Sequence, residues 1–574
     1  MASVLKRRDT DMTEGSIPRL LIYFALPLMI GNVFQQLYNT VDSIVVGNYV
    51  SKQALAAVGC TGPVINALFG LFGGLAAGAG VVISQFYGAH DKEKLHKTVQ
   101  TTIAMSLVMC VVLTALGVWL TPMMLELMST PEDVMADATE YLRIYFWGIS
   151  GVIMYYIGAG ILRAVGDSTR PLYFLIFSAL TNTVLDVVFV KYFSMGIAGA
   201  AIATVIAQVL SAVLVMLLLI RCKADYRIDC RDLHITRSIL SKICAIGIPS
   251  ALQLAITAFS NMFVQSYINR FESSCMAGWT ACSKVDSFAL LPMMSLSVAI
   301  TTFVGQNLGI NQVARAKKGI RAGMLMAVAC TALLMVPVLI FAPQLVEFFN
   351  KKREIVDYGS MLLRLISPFY VFCCINQIFA GALRGAGNSR TPMFIMIGSF
   401  VVFRQIYLFI MANYISNTIK PIALSYPAGW LLCSLITVFF LMPGLLLMAS
   451  KWIDKTEHKS FVPDISEFGR QGLKLRNVVP IVFLVLTVGC IFFSSKCDYA
   501  FDTSSVSASK LNEDSLAKQK IQNTFDTDNT LAVVIPKGEY EKEAKILENV
   551  EQMPGITSAL GLSNTKINDD YMLT

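Results

Sequence analysis

Charge is what this sequence has least of. Only 15% of its 574 residues are Asp, Glu, Lys or Arg, against roughly 25% in ordinary soluble domains. Hydrophobic residues make up 55% and the mean hydropathy is +0.61, which excludes a soluble enzyme, a secreted disulfide scaffold and a disordered chain. Metal and redox motifs are lacking too. The 13 cysteines lie mostly in apolar segments, and neither Cys373-Cys374 nor the Cys222/Cys230 spacing suits zinc or thiol chemistry, so they read as buried small hydrophobes. No nucleophile–base constellation, metal cluster or phosphate loop supports an enzyme. The start, Lys6-Arg7-Arg8 followed by acids, has no cleavable signal pattern, and the first apolar segment is expected to stay as an anchor.

The positions of the missing charges decide the class. Between Lys97 and Glu126 lie 28 residues with no charged side chain, more than the ~20 that a helix needs to cross ~30 Å of hydrocarbon. Comparable gaps run from Lys191 to Arg221, Lys242 to Arg270, Asp286 to Arg315, Arg321 to Glu347 and Lys420 to Lys451. With shorter gaps and two segments broken by one ionisable residue, twelve membrane helices are expected by residue 450 and a thirteenth at Asn477–Ser495. Basic residues concentrate in alternate loops, which orients the N-terminus and the 221–242 loop toward the cytoplasm, although Lys351-Lys352-Arg353 runs against the bias. The formal charge of +8 therefore reflects topology against anionic lipid, not nucleic-acid binding.

A segment recurs at a fixed offset. Gly160-Ile161-Leu162-Arg163-Ala164-Val165-Gly166-Asp167-Ser168-Thr169-Arg170-Pro171 returns as Gly381-Ala382-Leu383-Arg384-Gly385-Ala386-Gly387-Asn388-Ser389-Arg390-Thr391-Pro392, six of twelve positions being identical at an offset of 221. The same offset pairs Gln85 with Gln306, Gly88 with Gly309, and Leu142-Arg143 with Leu363-Arg364; Pro27 pairs with Pro249 at 222. Two copies of six helices begin on the same side of the membrane, so the expected architecture is an all-α polytopic protein of two parallel lobes. They are related by a pseudo-two-fold axis along the membrane normal, the substrate path lying between them. The predicted N-lobe is 1–220 and the C-lobe 243–453, joined by the central loop 221–242. The repeated Leu-Arg-x-x-Gly-x-Ser segment is expected to end one helix with glycine, hold its arginine at the cytoplasmic face and restart the next helix.

These doubled segments, with Ser84-Gln85-Phe86-Tyr87-Gly88 and Gly305-Gln306-Asn307-Leu308-Gly309, resemble the halves of a multidrug and toxic compound extrusion (MATE) transporter over about 12–452. The resemblance implies a V-shaped antiporter that expels amphipathic, often cationic, drugs in exchange for H⁺ or Na⁺, with no other cofactor. Such a protein is expected as a monomer in the cell membrane. The residues agree with that reading. Asp42 lies at the end of helix 1 and Asp186 interrupts helix 5; a lone intramembrane acid is costly and faces a cavity or ion path. Asn182 and Asp186 are four apart and share a helix face. Asp42 is also readable as an interfacial carboxylate just past the apolar core, and Asp186 as a satisfied structural polar residue.

Similarity to the DinF-like branch of the family then implies an ion-coupling cluster at Asp42, Asn182, Asp186 and Thr204, a bending proline at Pro27, and cavity-facing Gln35 and Tyr38. Gln35 and Tyr38 fit ordinary inter-helix packing equally well. The other branch places an acid where this chain has Thr257. In the C-lobe, Lys284 and Asp286 in helix 8 and Arg404 in helix 11 suggest an Asp286–Arg404 ion pair, either a gate or a structural bridge.

The remaining chain has another character. A polar linker, 454–476, and helix 13 at 477–495 lead into an acidic stretch with eight Lys against 13 Asp plus Glu. Residues 496–574 read as a small extracytoplasmic α/β fragment that resembles the start of an MMPL exporter of the resistance-nodulation-division superfamily, cut short. The rival functions are a lipid-linked-precursor flippase, favoured by a basic central cavity, and a membrane adaptor that acts through its tail.

Overall fold

The computed structural model describes residues 10–453 apart from 129, 131 and 417. The linker, helix 13 and the α/β fragment lie outside the described residues. Everything described is helix and connecting turn, because uninterrupted apolar sequence in a bilayer must satisfy each backbone polar group within its own segment.

The first half contains α1 (Ile17–Tyr49), α2 (Lys52–Gly88), α3 (Lys92–Leu127), α4 (Glu132–Trp147), α5 (Ile149–Ala164), α6 (Thr169–Asp186) and α7 (Gly196–Arg221). The second contains α8 (Arg237–Ile268), α9 (Ser273–Ala289), α10 (Leu291–Gly309), α11 (Val313–Ile340), α12 (Ala342–Glu347), α13 (Arg353–Ile366), α14 (Tyr370–Gly385), α15 (Arg390–Ile397), α16 (Arg404–Ile410), α17 (Ile419–Ala423) and α18 (Ser425–Ile453). Eleven helical runs are long and apolar enough to cross a membrane, and the pair α4–α5, bent by 49° at Gly148, brings the number to 12. The chain is thus a multi-pass membrane protein with the expected helix count among the described residues. The corresponding run in the second half also breaks, at a 3₁₀ turn over Ser367–Phe369 between α13 and α14.

Repeat-related positions share unusual backbone. Gly166 and Gly387 have φ of 88° and 86°, and His90 and Asn311 have φ of 53° and 58°. Both pairs stand at the offset of 221. The left-handed glycine ends α5 and α14, where any Cβ would be strained. The following residue then caps the next helix: Asp167 Oδ1 accepts from the backbone N–H groups of Thr169 and Arg170 at 3.0 and 3.1 Å, and Asn388 Oδ1 accepts from that of Thr391 at 3.2 Å. Asp167 also pairs with Arg170 through its side chain; burial nevertheless raises the Asp167 carboxyl above the usual range, against the pull of Arg170.

Two boundaries differ from expectation. Helix α8 starts at Arg237 instead of 243, since Ile239, Ile243 and Ile246 already pack against Ala79, Val81 and Val82 of α2. A charge-free run marks the hydrocarbon crossing, and helices extend past it. Helix α1, assigned to the N-lobe, serves both cores: Leu21, Phe24 and Ala25 belong to the C-lobe core, Val45 and Val46 to the N-lobe core. Pro27 falls between them, where it withdraws the N–H that would bond the carbonyl of residue 23.

For reference, the end of the bundle carrying residues 10–16, 89–91, 165–168 and 222–236 is termed basal.

Candidate functional site

Inside the N-lobe, α1, α6 and α7 bring four polar residues together. Asp42, expected at the end of its helix, lies two turns inside α1 and is 8% exposed. Asp186, at the last residue of α6, is fully buried. The amide of Asn182 donates to Asp186 Oδ1 and to Thr204 Oγ1 of α7, each at 3.4 Å. The carboxylates of Asp42 and Asp186 lie within electrostatic reach of each other. Three acceptor oxygens here have no protein donor: Asp42 Oδ1, Asn182 Oδ1 and Asp186 Oδ2. A buried set of unfilled acceptors fits a proton or a small hard cation and not an anion. Tyr141 of α4 feels both carboxylates, and the hydroxyl of Tyr145 one turn on is also unpartnered. Sequence reading missed these tyrosines; their spacing of four on one helix face was the available signal.

Between the lobes lies a cavity of about 340 Å³. Asn32 of α1, Tyr156 and Arg163 of α5, Ser297 of α10 and Gln377 and Arg384 of α14 are among its walls. Gln35 and Tyr38 do not line it. Gln35 reaches the Tyr156 hydroxyl at 3.5 Å, and Tyr38 faces Gln208 of α7, within the N-lobe. Arg163 and Arg384, expected at the cytoplasmic face, occupy the last turns of α5 and α14 and also line the cavity, with Arg384 donating to Ser297 Oγ at 3.3 Å.

Below the cavity the duplicated motifs close the basal end. Gln85 Nε2 donates to the Gly385 carbonyl at 3.1 Å, and Gln306 Nε2 to the Ala164 carbonyl at 2.9 Å. Both donors and both acceptors are related by 221 residues, so each lobe's glutamine grips the other lobe's Leu-Arg segment. A Cβ on Gly88 would strike the Gln306 backbone and one on Gly309 the Gln85 carbonyl, which explains why both motifs end in glycine. The residues before α1 complete the seal. Met12, fully buried, donates its N–H to Gln306 Oε1 at 2.9 Å, and its carbonyl accepts from Asn307 Nδ2 at 3.1 Å.

The C-lobe pair is not formed. Arg404 Nη2 donates to Ser260 Oγ at 2.7 Å and to Asn261 Oδ1 at 2.8 Å, and its guanidinium stands 4.8 Å from the Tyr426 ring centroid. Asp286 instead accepts from the Tyr370 hydroxyl. Helix α9 turns Asp286 toward α14, while Arg404 is taken up by polar groups of α8, so each ionisable group is satisfied separately. Lys284 is exposed on α9. Thr257 bonds its own helix through the Gln253 carbonyl at 2.7 Å. Among the described residues no cluster of three or more His, Cys, Asp or Glu is placed to hold a metal.

This architecture is shared with known proteins. A structure titled "Crystal structure of MATE in the bent conformation" superposes with a TM-score of 0.73 at 23% identity, covering 78% of this chain and all of that one. The Bacillus subtilis (strain 168) protein named "Probable multidrug resistance protein YoeA" is 28% identical over 73% of this chain and 92% of its own length. Another from the same organism, "Probable multidrug resistance protein YpnP", is 28% identical over 69% of this chain and 88% of its own. The MatE family model matches twice, at residues 27–188 and 249–410. The two matched stretches fall one in each lobe, each beginning at its helix-interior proline, and the chain belongs to the MatE family.

Proposed function

We propose that the chain is a secondary active exporter of amphipathic, commonly cationic, small molecules, driven by exchange for H⁺ or Na⁺ through alternating access. The observation that carries this reading is the convergence of Asp42, Asn182, Asp186 and Thr204 with three acceptor oxygens left unfilled. Similarity to proteins named for multidrug resistance supports the substrate class. Under the positive-inside rule the basal end is cytoplasmic. The lobes then seal on that side, and exchange requires the Gln85 and Gln306 bonds to part. No resident cofactor, catalytic activity or nucleic-acid partner is needed, and the protein acts as a monomer in the cell membrane.

The coupling follows from electrostatics. Two buried carboxylates repel each other, and each keeps an oxygen without a protein donor, so the site favours taking up a proton or Na⁺. Asp42 sits on the one helix that packs in both cores, with Pro27 at the changeover. A change of charge at Asp42 therefore acts on the helix best placed to move one lobe against the other. The test is ethidium efflux from cells expressing the full chain under imposed pH or Na⁺ gradients. Asp42→Asn and Asp186→Asn should each abolish gradient-driven efflux at wild-type expression; unimpaired efflux in both would remove this cluster from the mechanism.

A second reading is favoured by one observation. Arg163 and Arg384 make the cavity basic, as a flippase for anionic lipid-linked precursors would require.

A further inference from the structure

We infer that Arg163 and Arg384 form a binding site for the anionic group of an amphiphile, a carboxylate or a phosphate, in the cavity between the lobes. This deepens the export reading by naming a chemical feature of the substrate, and it rests on taking that cavity as the substrate path.

Three observations meet here. First, the two guanidinium groups are repeat equivalents, 221 residues apart, and each occupies the last turn of its helix, α5 and α14. The pseudo-symmetry thus delivers a matched pair from opposite lobes to one cavity. Second, the pair has no counter-charge. No Asp or Glu lines the cavity, and among the described residues neither arginine makes an ion pair. The neighbours of Arg163 are the Tyr155 and Tyr156 phenols, and Arg384 has the Ser297 hydroxyl. Two uncompensated guanidinium charges lining a cavity that the Gln85, Gln306 and Met12 contacts close on the basal side are costly unless an anion meets them. Third, the walls suit an amphiphile. Leu254, Met294 and Val298 offer apolar surface beside Thr301 and Gln377, and about 340 Å³ falls within the range of small-molecule sites.

A guanidinium presents five N–H donors in a planar fork that matches the two oxygens of a carboxylate or phosphate. The competing role, an arginine that steadies the negative end of its helix, uses none of the cavity and predicts no ligand selectivity.

Equilibrium binding to the purified full chain separates these, and it does so without transport or a coupling ion, so failure here and failure of the export reading are distinct results. The probes are a zwitterionic fluoroquinolone and its methyl ester, which share an aromatic body and differ in the carboxylate. The wild type should bind the acid more tightly by about ten-fold or more, as expected for charge-assisted hydrogen bonds. Arg163→Gln and Arg384→Gln should each erase that ratio, and Arg163→Lys and Arg384→Lys should keep part of it. The source of the anion is decided in nanodiscs. Displacement of the acid by phosphatidylglycerol but not phosphatidylcholine, in wild type only, identifies a lipid headgroup; no displacement identifies the free amphiphile. Equal wild-type affinity for acid and ester, with no effect of phosphatidylglycerol, overturns the proposal whether or not any variant folds. Equal weakening of acid and ester in variants that elute and melt as wild type overturns it as well.

Discussion

Single ionisable residues in apolar helices carried most of what could be read about function, and their partners carried most of what could not. Asp42, Asp186, Asp286 and Arg404 stand out because a charge there needs a reason. What satisfies each one comes from other helices through uncharged groups, Ser260, Asn261 and Tyr426 for Arg404 and Tyr370 for Asp286, and no charge pattern selects those. Opposite charges in one lobe suggested a pair, but helix rotation keeps the two apart. This difference can be measured. If Asp286 and Arg404 were paired, neutralising either would strand the other. With separate partners, Asp286→Asn should cost little, because the amide oxygen still accepts from Tyr370. Asp286→Leu should cost about 1–3 kcal/mol by leaving that hydroxyl alone. Arg404→Lys should also lower the melting temperature, since an ammonium cannot reproduce the fork to Ser260 and Asn261. Thermal unfolding of the purified variants checks this; an Asp286→Asn loss as large as that of Arg404→Lys would reinstate the pair.

Among the helices, α2 and α8 cross between the lobes at very close range. A Cβ on Gly74 would meet the Ala251 backbone, and one on Gly78 would meet the backbone of Gly247. The two helices touch main chain to main chain, as small residues permit in membranes, where close packing replaces the hydrophobic effect as the driving force. Glycine runs in α2 are visible in the sequence, but which helix they admit is not, because the partner lies in the other repeat. Helix existence and number were legible from charge gaps; the start of α8 and the bend at Gly148 were not, since neither is marked by charge. Gly74→Leu or Gly78→Leu should pry α2 from α8 at roughly 1–3 kcal/mol, which is about a 5- to 150-fold shift toward the basally open state. Hydrogen exchange of residues 10–16 should then quicken, while Gly62→Ala, in open space on the same helix, should leave it unchanged. Equal exchange in all three variants would mean that this crossing does not govern closure.

At the scale of the whole molecule the fold is two copies of one bundle, and the repeat is the feature the sequence declared most openly. Symmetry alone makes the two basal bonds equivalent: Gln85 on Gly385 and Gln306 on Ala164. The chain has one N-terminus, however, and residues 10–16 break the equivalence by adding Met12 to the Gln306 side only. Gln85→Ala removes one partly buried bond, a loss of about 1 kcal/mol, whereas Gln306→Ala leaves both the Met12 N–H and the Ala164 carbonyl without partners in a fully buried place, about 1–3 kcal/mol for each. Gln306→Ala should therefore open the basal side much further than Gln85→Ala, and exchange at Met12 should rise steeply in the first and little in the second. If the two bonds part together, as rigid lobes rocking about a common axis require, the two free-energy losses should add at Met12 in the double variant. Exchange at Met12 that ignores Gln85→Ala, alone and in the double variant, would instead describe lobes that flex independently at each seam. Similar exchange at Met12 in both single variants would show that the N-terminal segment contributes nothing to closure, leaving a symmetric gate.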